Sequence, residues 1–86
     1  MAHIHNNEKG FLIIRTETLE EALNFGGLAI CDGCNKASYT GYYISVLNYW
    51  YCDKCFNDWY KRAKRYAEDI DIEERNYKRT LKLFNL

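Results

Sequence analysis

Four cysteines are the residues of this chain with the clearest chemistry, and they occur as two Cys-x-x-Cys pairs. Cys31 and Cys34 form the first pair, Cys52 and Cys55 form the second, and 17 residues separate the pairs. This spacing lies within the C-x2-C-x15–20-C-x2-C pattern that is typical of zinc sites. Two residues between thiols let both sulfurs of a tight turn point at one centre, and two such turns supply a tetrahedron of thiolates. We therefore predict a Zn²⁺ site that is ligated by all four cysteines and has no open coordination position.

Three other uses of these thiols are conceivable, and the sequence argues against each of them. We expect no secretory signal, because the opening stretch MAHIHNNEKG has no charged region followed by an apolar core. A disulfide framework is therefore disfavoured. A redox Cys-x-x-Cys would need a thioredoxin-like βαβ context, and a catalytic zinc would need a coordination position for water. A fourth use, sensing of oxidants by thiolates that release the zinc when they are oxidised, stays open. It is a weaker alternative to protein interaction and to nucleic-acid binding.

The residues around each pair predict how the thiols are presented. Gly33 and Asn35 tolerate positive φ, which a tight metal-binding turn around the first pair requires. Beside the second pair, Asp53 stands where it can cap a helix, and residues 56–60 run at helical spacing. We therefore expect the second pair in the first turn of a helix, where the positive end of the helix dipole favours thiolates.

A segment rich in β-branched and aromatic residues separates the two pairs. It predicts a β-hairpin of Tyr42–Leu47 against Tyr49–Tyr51 that turns at Asn48. A metal-binding turn, a hairpin and then a helix with the second ligand pair, over residues 30 to about 66, resembles the treble-clef zinc fingers. The resemblance implies that fold and the four cysteine ligands, and it implies no particular function.

Two subfamilies are similar in the gap of 17 residues between the pairs. The finger of the DksA/TraR family of RNA-polymerase-binding regulators is similar in spacing, but this chain has Asn35 where that family usually has glycine. The first half of a LIM domain is also similar, but its third ligand is histidine, and Cys52 stands at that position here. From these resemblances we therefore infer the four cysteine ligands and the fold of this chain, and we infer neither family's binding partner.

The N-terminal third predicts a small strand pair and a short helix. Phe11–Arg15 is an apolar strand that can pair with His3–His5 across a polar loop. Thr18–Glu21 forms a capping box at the start of a helix of about two turns, and Gly26-Gly27 ends this helix. The two histidines would suit a second metal site, although histidines near a terminus are more often surface residues of a strand.

The chain contains neither glycine nor proline after Cys55, and apolar residues recur there at steps of three and four. This stripe predicts one long helix, which pairs such as Arg65–Asp69 support at i, i+4 spacing. The alternative is two helices, since Asp71-x-x-Glu74 can cap a new one. The stripe then serves either as a dimer seam or as a contact with the N-terminal strand of the same chain.

These elements predict one α+β domain over residues 1–86. Strands and a short helix occupy residues 1–30, the zinc finger spans 31–66, and a C-terminal helical extension spans 67–86. No apolar run approaches about 20 residues, so we expect no membrane span. Four cysteines without a secretory signal indicate thiols in a reducing compartment, so we expect a cytoplasmic protein.

The sequence contains no recognisable catalytic set, since it has no glycine-rich phosphate loop and its only two histidines lie in the first five residues. We therefore expect a protein that is not an enzyme, in which zinc stabilises a protein-interaction or regulatory module. Eight tyrosines and two tryptophans favour an interaction surface for an unidentified protein or for a second copy of the chain. Its candidate residues are Trp59, Tyr77, Leu81 and Phe84.

A nucleic-acid-binding regulator is the alternative function. Lys61, Arg62, Lys64 and Arg65 form the one basic cluster, beside rings that can stack on bases. The 12 basic residues are balanced by 12 acidic ones, so the formal net charge is zero. The chain as a whole therefore lacks the electrostatic footprint of a nucleic-acid-binding protein, and the cluster can equally be a solvated helix face.

Overall fold

The β-branched and aromatic residues of the chain form one antiparallel sheet in the computed structural model, which describes residues 2–25 and 29–86. The expected α+β fold is confirmed, with four strands that neighbour each other in chain order and helices on both faces of the sheet. The strands are β1 (His3–His5), β2 (Ile13–Thr16), β3 (Gly41–Ile44) and β4 (Tyr49–Tyr51). The helices are α1 (Leu19–Ala22), α2 (Asp53–Arg62) and α3 (Ile70–Phe84), and a 3-10 turn (Ala67–Asp69) precedes α3.

Successive residues of a strand point to opposite sides of the sheet. Both faces are apolar because β2 and β3 carry apolar or aromatic side chains at successive positions. Ile13 and Ile44 are paired across β2 and β3, and they pack against Phe56 of α2. The next pair, Ile14 and Tyr43, faces the other side and belongs to the core that α1 and α3 cover. Helix α2 therefore lies on one face of the sheet, and α1 and α3 lie on the other.

The N-terminal part forms the predicted strand pair and helix, but the helix has only one turn, Leu19–Ala22, instead of about two. Strand β1 pairs with β2 in antiparallel register, with His3 opposite Arg15. At the start of α1, the Thr18 hydroxyl accepts a hydrogen bond from the backbone N–H of Glu21 at 3.2 Å. The Glu21 carboxylate accepts the Thr18 N–H in return at 3.3 Å, which confirms the capping box. The prediction that Gly26-Gly27 ends the helix is wrong, because α1 already ends at Ala22 with Leu23 as its C-cap; the two glycines themselves lie outside the described residues.

The predicted hairpin forms, but its first strand ends at Ile44 instead of Leu47. The turn closes there because the carbonyl of Ile44 accepts the backbone N–H of Asn48 at 2.8 Å. Asn48 takes the left-handed conformation at φ 56°, which suits its predicted position in the turn. The amide of Asn76 in α3 donates to the Ser45 carbonyl at 2.9 Å and holds the turn against that helix.

The C-terminal third forms two helices, so the prediction of one long helix is wrong and the two-helix alternative is confirmed. The end of α2 is fixed by Lys9, which sequence reasoning missed because it lies 51 residues from Tyr60 along the chain. The Lys9 ammonium donates to the carbonyl of Tyr60 and, at 3.0 Å, to that of Ala63, where the backbone becomes extended. Helix α3 then begins after Asp69, and not at the predicted cap Asp71.

The break between the helices divides the predicted apolar stripe between the two faces of the sheet. Phe56 packs on β2 and β3, whereas Tyr77, Leu81 and Phe84 pack into the core on the opposite face. The stripe therefore contacts the sheet of its own chain. Burial raises the pKa of the Tyr77 hydroxyl, in agreement with this packing. Among the described residues, no helix has both the length and the apolar character needed to cross a membrane.

Candidate metal centre

The first cysteine pair lies in a tight loop whose backbone is closed on itself. Cys31 donates its N–H to the carbonyl of Lys36 at 3.0 Å, and Asn35 donates to the carbonyl of Cys31 at 2.9 Å. Asn35 takes the left-handed conformation at φ 61°, as predicted. Gly33 does not, so the positive φ expected for it is wrong. Its lack of a side chain provides space instead, since a Cβ there would lie 3.1 Å from the Cys55 sulfur.

The second cysteine pair lies at the start of α2, as predicted. Cys52 is the N-cap residue, with backbone angles of φ −66° and ψ 169°, and Cys55 follows in the first turn. The prediction that Asp53 caps the helix is wrong, because Asp53 is the first helical residue. Its carboxylate forms an ion pair with Arg15 of β2 and thereby ties α2 to the sheet. A carboxylate in the first turn also interacts favourably with the helix dipole.

Asp32 joins the two halves of the site, and sequence reasoning missed it. Its backbone N–H donates to the carbonyl of Trp50, and its carboxylate accepts the N–H of Trp50, both at 2.9 Å. The first loop is thereby fixed against β4, which leads directly into Cys52. The sequence did contain a signal for this role, namely an aspartate between the two cysteines of a predicted turn. Aspartate side chains commonly accept backbone N–H groups in turns.

The four cysteine sulfurs lie close together, all within 4.8 Å of one another. The separation between the Cys34 and Cys52 sulfurs is 3.9 Å. A tetrahedral zinc site with Zn–S bonds of about 2.3 Å has sulfur–sulfur edges of about 3.8 Å, so the observed spacing fits such a site. The cluster can therefore hold a metal ion, and a set of four sulfur donors suits Zn²⁺.

Cys31 is the fully buried thiol of the cluster. Its sulfur accepts the backbone N–H of Cys52 at 3.2 Å and that of Gly33 at 3.3 Å. Burial raises the pKa of the Cys31 thiol, but the backbone N–H groups, that of Cys52 foremost, outweigh burial and lower the pKa to about 7. Cys31 is therefore partly ionised at neutral pH, in the form that binds a cation.

The neighbouring thiols shift in the opposite direction. Burial raises the pKa of Cys55, and the hydrogen bonds that its thiol makes to the other three cysteines raise it further. The pKa of Cys52 is also raised, first of all by burial. Four thiolates at this spacing repel one another, so a divalent cation is needed to keep all four ionised. Metal binding is therefore expected to release protons.

The predicted basic cluster is only partly free to bind phosphate. Lys61, Arg62 and Lys64 are exposed, at the end of α2 and just after it. Arg65 is engaged elsewhere, because its guanidinium donates to the Glu73 carboxylate through Nη2 at 2.6 Å and through Nε at 3.2 Å. Three cations of the predicted four therefore remain as candidates for contact with nucleic acid.

The residues predicted as an interaction surface lie in two different places. Trp59 packs beside Phe11 on the α2 face of the sheet, with ring centres 4.8 Å apart. Tyr77, Leu81 and Phe84 pack into the core on the opposite face. All four are partly buried, so they do not form one continuous surface. The large apolar side chains that the described residues do expose are Ile4, Leu19, Leu23, Tyr39, Tyr49, Tyr66, Ile72, Leu83 and Leu86.

The histidines of β1 belong to the sheet surface and its packing. His5 contacts the rings of Tyr42 and Phe56 edge-on, with ring centres 5.1 Å and 5.7 Å away. Burial, and then the neighbouring His3, lower the pKa of His5, so its ring is neutral at pH 7. In the part of the chain that the structure describes, the cysteine cluster is the one group of three or more potential metal ligands.

Comparison of the chain with protein-family models, with curated proteins and with solved structures found no match. The interpretation of the site therefore depends on the spacing of its four sulfurs and on the loop and helix that present them. These features agree with a metal site of the zinc-finger kind, and they assign it to no subfamily.

Proposed function

We propose that this chain is a small zinc-binding protein in which a structural four-cysteine site stabilises a protein-interaction or regulatory module. The observation that carries the proposal is the convergence of four sulfurs within 4.8 Å. They come from a tight loop and from the start of a helix, with a β-hairpin between them in the chain. This order of elements supports the treble-clef interpretation, and the all-cysteine ligand set supports Zn²⁺ over cations that prefer oxygen.

The ligand set supports a structural role for the zinc itself. Four protein thiolates complete the tetrahedral coordination of Zn²⁺, so no position remains for a water molecule or a substrate. Cys31 is buried and its sulfur accepts two backbone N–H groups, which favours a firmly held ion, whereas Cys34 lies on the exposed side of the site. Zinc would link the first loop to α2, and small domains often need such a link because their cores are small.

Exposed apolar side chains support the interaction role. Tyr66 is 54% exposed and Ile72 is 47% exposed, and they lie on either side of the 3-10 turn that connects α2 to α3. Tyrosine and large aliphatic side chains are the kind of residue that protein interfaces bury. This connection is therefore the proposed contact element, in place of the partly buried Tyr77, Leu81 and Phe84.

Self-association is the form of this role to test first. If two copies meet at the connection, Tyr66→Glu and Ile72→Glu each place a charge in an apolar contact and raise the dissociation constant by at least about tenfold. Both residues are exposed, so the free energy of unfolding changes by less than about 0.5 kcal/mol. Sedimentation velocity over a range of concentrations measures the effect. Lys78→Ala changes the charge of α3 by the same amount and is the control, and a wild-type protein that stays monomeric throughout would refute the homodimer.

Nucleic-acid binding is the second candidate, and the exposure of Lys61, Arg62 and Lys64 favours it. Binding to short DNA or RNA would weaken steeply with salt, because each phosphate contact releases counterions. Replacing the three residues with glutamine would reduce the affinity at low salt by at least about tenfold, as measured by fluorescence anisotropy. Lys78→Gln, outside the cluster, would have little effect. Undetectable or salt-insensitive binding would exclude this candidate.

A further inference from the structure

A groove of about 790 Å³ lies between the end of α1, the tip of the β3–β4 hairpin and the last turns of α3. This volume is within the range of about 300–1,000 Å³ that is typical of small-ligand sites. The groove lies outside the cysteine cluster, the basic residues of α2 and the proposed contact element. None of the functions proposed above uses this groove.

Aromatic rings supply the apolar part of this groove. Phe25 stacks on Tyr43, with ring centres 4.9 Å apart and ring planes inclined by 14°. Trp50 lies in the same core cluster, and Leu83, 52% exposed, adds an aliphatic side chain to the groove. Tyr43 and Trp50 are buried and form the floor beneath the groove, so a flat apolar group meets Phe25, Leu83 and Tyr49, which is 48% exposed.

Two cations and one carboxylate line the same groove. The carboxylate is that of Asp32, and one of its oxygens already accepts a backbone N–H at 2.9 Å. Arg79 is oriented through Nη2 by two amide oxygens, that of Asn48 at 3.0 Å and that of Asn76 at 3.3 Å. Within residues 2–25 and 29–86, neither Arg79 nor Lys82 forms an ion pair. The groove therefore carries a net positive charge and unused N–H donors.

We propose that this groove binds a small organic anion with a flat apolar body. The body packs against Phe25, Tyr49 and Leu83, and the acid group binds the guanidinium of Arg79 and the ammonium of Lys82. Charge determines the class of ligand, because two unpaired cations outweigh one carboxylate that already has a hydrogen-bond partner. The four sulfurs do not line this groove, although Asp32 connects it to the cysteine loop, and binding requires no protein partner.

A matched set of three probes tests the proposal: 2-naphthoate, the neutral 2-naphthalenemethanol and the cationic 2-naphthylmethylammonium. They share one ring system and differ in the charge of the side group. In NMR titrations of the full chain, we expect saturable amide shifts with naphthoate at Phe25, at Tyr49 and Trp50, and at residues 79–83. The neutral probe is expected to bind about fivefold more weakly, and the ammonium probe more weakly still.

Two lysine variants of the same helix then separate the groove from general charge effects. Lys82→Gln removes a cation from the groove and is expected to weaken naphthoate binding by about threefold. Lys78→Gln removes the same charge outside the groove and is expected to leave the affinity unchanged. Both lysines are exposed, so neither variant should disturb folding. Shifts confined to other parts of the chain, an ammonium probe that binds as tightly as naphthoate, or equal effects of the two variants would each overturn the proposal.

Discussion

Replacing Cys52 with serine is expected to abolish tight zinc binding and to unfold the part of the chain around the metal, residues 31–62. Structural zinc in small fingers contributes about 10–16 kcal/mol of apparent binding free energy at neutral pH. The total stability of a protein domain is about 5–15 kcal/mol, so losing the metal removes an amount comparable to the whole. Cys52 is also the residue at which β4 passes into α2, so the unfolding reaches Phe56, which covers one face of the sheet.

Two measurements check this prediction together. A colorimetric assay gives the zinc content, and near-UV circular dichroism reports how tightly the aromatic rings around Trp50 and Phe56 are packed. Treating the zinc-loaded wild type with a strong chelator is expected to give the same loss of aromatic signal. Lys54→Ala is the control, because Lys54 is exposed between the two cysteines of the pair and supplies no sulfur. A chelated protein that keeps its full near-UV signal would contradict a structural role for zinc.

The cysteine site could be predicted from the sequence because short stretches of chain determine its parts. Asn35, a residue type that tolerates positive φ, takes the left-handed conformation in the first loop. The apolar residues at 56–60 recur at helical spacing and lie in α2, the helix that begins at the second pair. The capping box at Thr18 is local in the same sense. In each case the residues that decide the conformation lie within a few positions of one another, so the pattern of residue types was sufficient.

The position of the break between α2 and α3 could not be predicted, although two helices were one alternative, because a distant residue contributes to it. Residues 63–66 contain neither glycine nor proline, and the charge spacing there suits a continuous helix. Lys9 nevertheless binds the last carbonyls of α2 from the other end of the chain. Gly33 is a similar case, because the space it provides is filled by the sulfur of Cys55 from the other pair. Both effects are tertiary contacts that residue patterns along one chain do not reveal.

Glu73 is the other residue whose role the pattern concealed. In the apolar stripe after Cys55, Glu74 stands where the spacing calls for an apolar residue, between Ile70 and Tyr77. The buried carboxylate is instead that of Glu73, with 1% of its surface exposed. Its carboxylate accepts Nη2 of Arg65 at 2.6 Å and the backbone N–H of Leu12 at 3.0 Å. The prediction that Arg65 pairs with Asp69 depended on an unbroken helix, and the break removes that geometry. Glu73 thus joins α3 to the connection before it and to the chain that enters β2.

Arg65→Ala is therefore expected to lower the free energy of unfolding by about 3 kcal/mol. Removing one member of a buried ion pair leaves an uncompensated charge, which costs about 3–5 kcal/mol. The lower end of that range applies because 33% of the Arg65 side chain is exposed, whereas Glu73 is almost fully buried. Urea denaturation followed by far-UV circular dichroism measures the change.

Two further variants separate this ion pair from a general effect of charge. Lys64→Ala removes a neighbouring exposed cation and is expected to change the free energy of unfolding by less than about 0.5 kcal/mol. Combining Arg65→Met with Glu73→Leu removes both charges and is expected to cost less than Arg65→Ala alone, because no unpaired charge stays buried. The N–H of Leu12 then lacks its acceptor, which keeps the double variant below the wild type. Equal losses for Arg65→Ala and Lys64→Ala would show that the contact with Glu73 does not stabilise the fold.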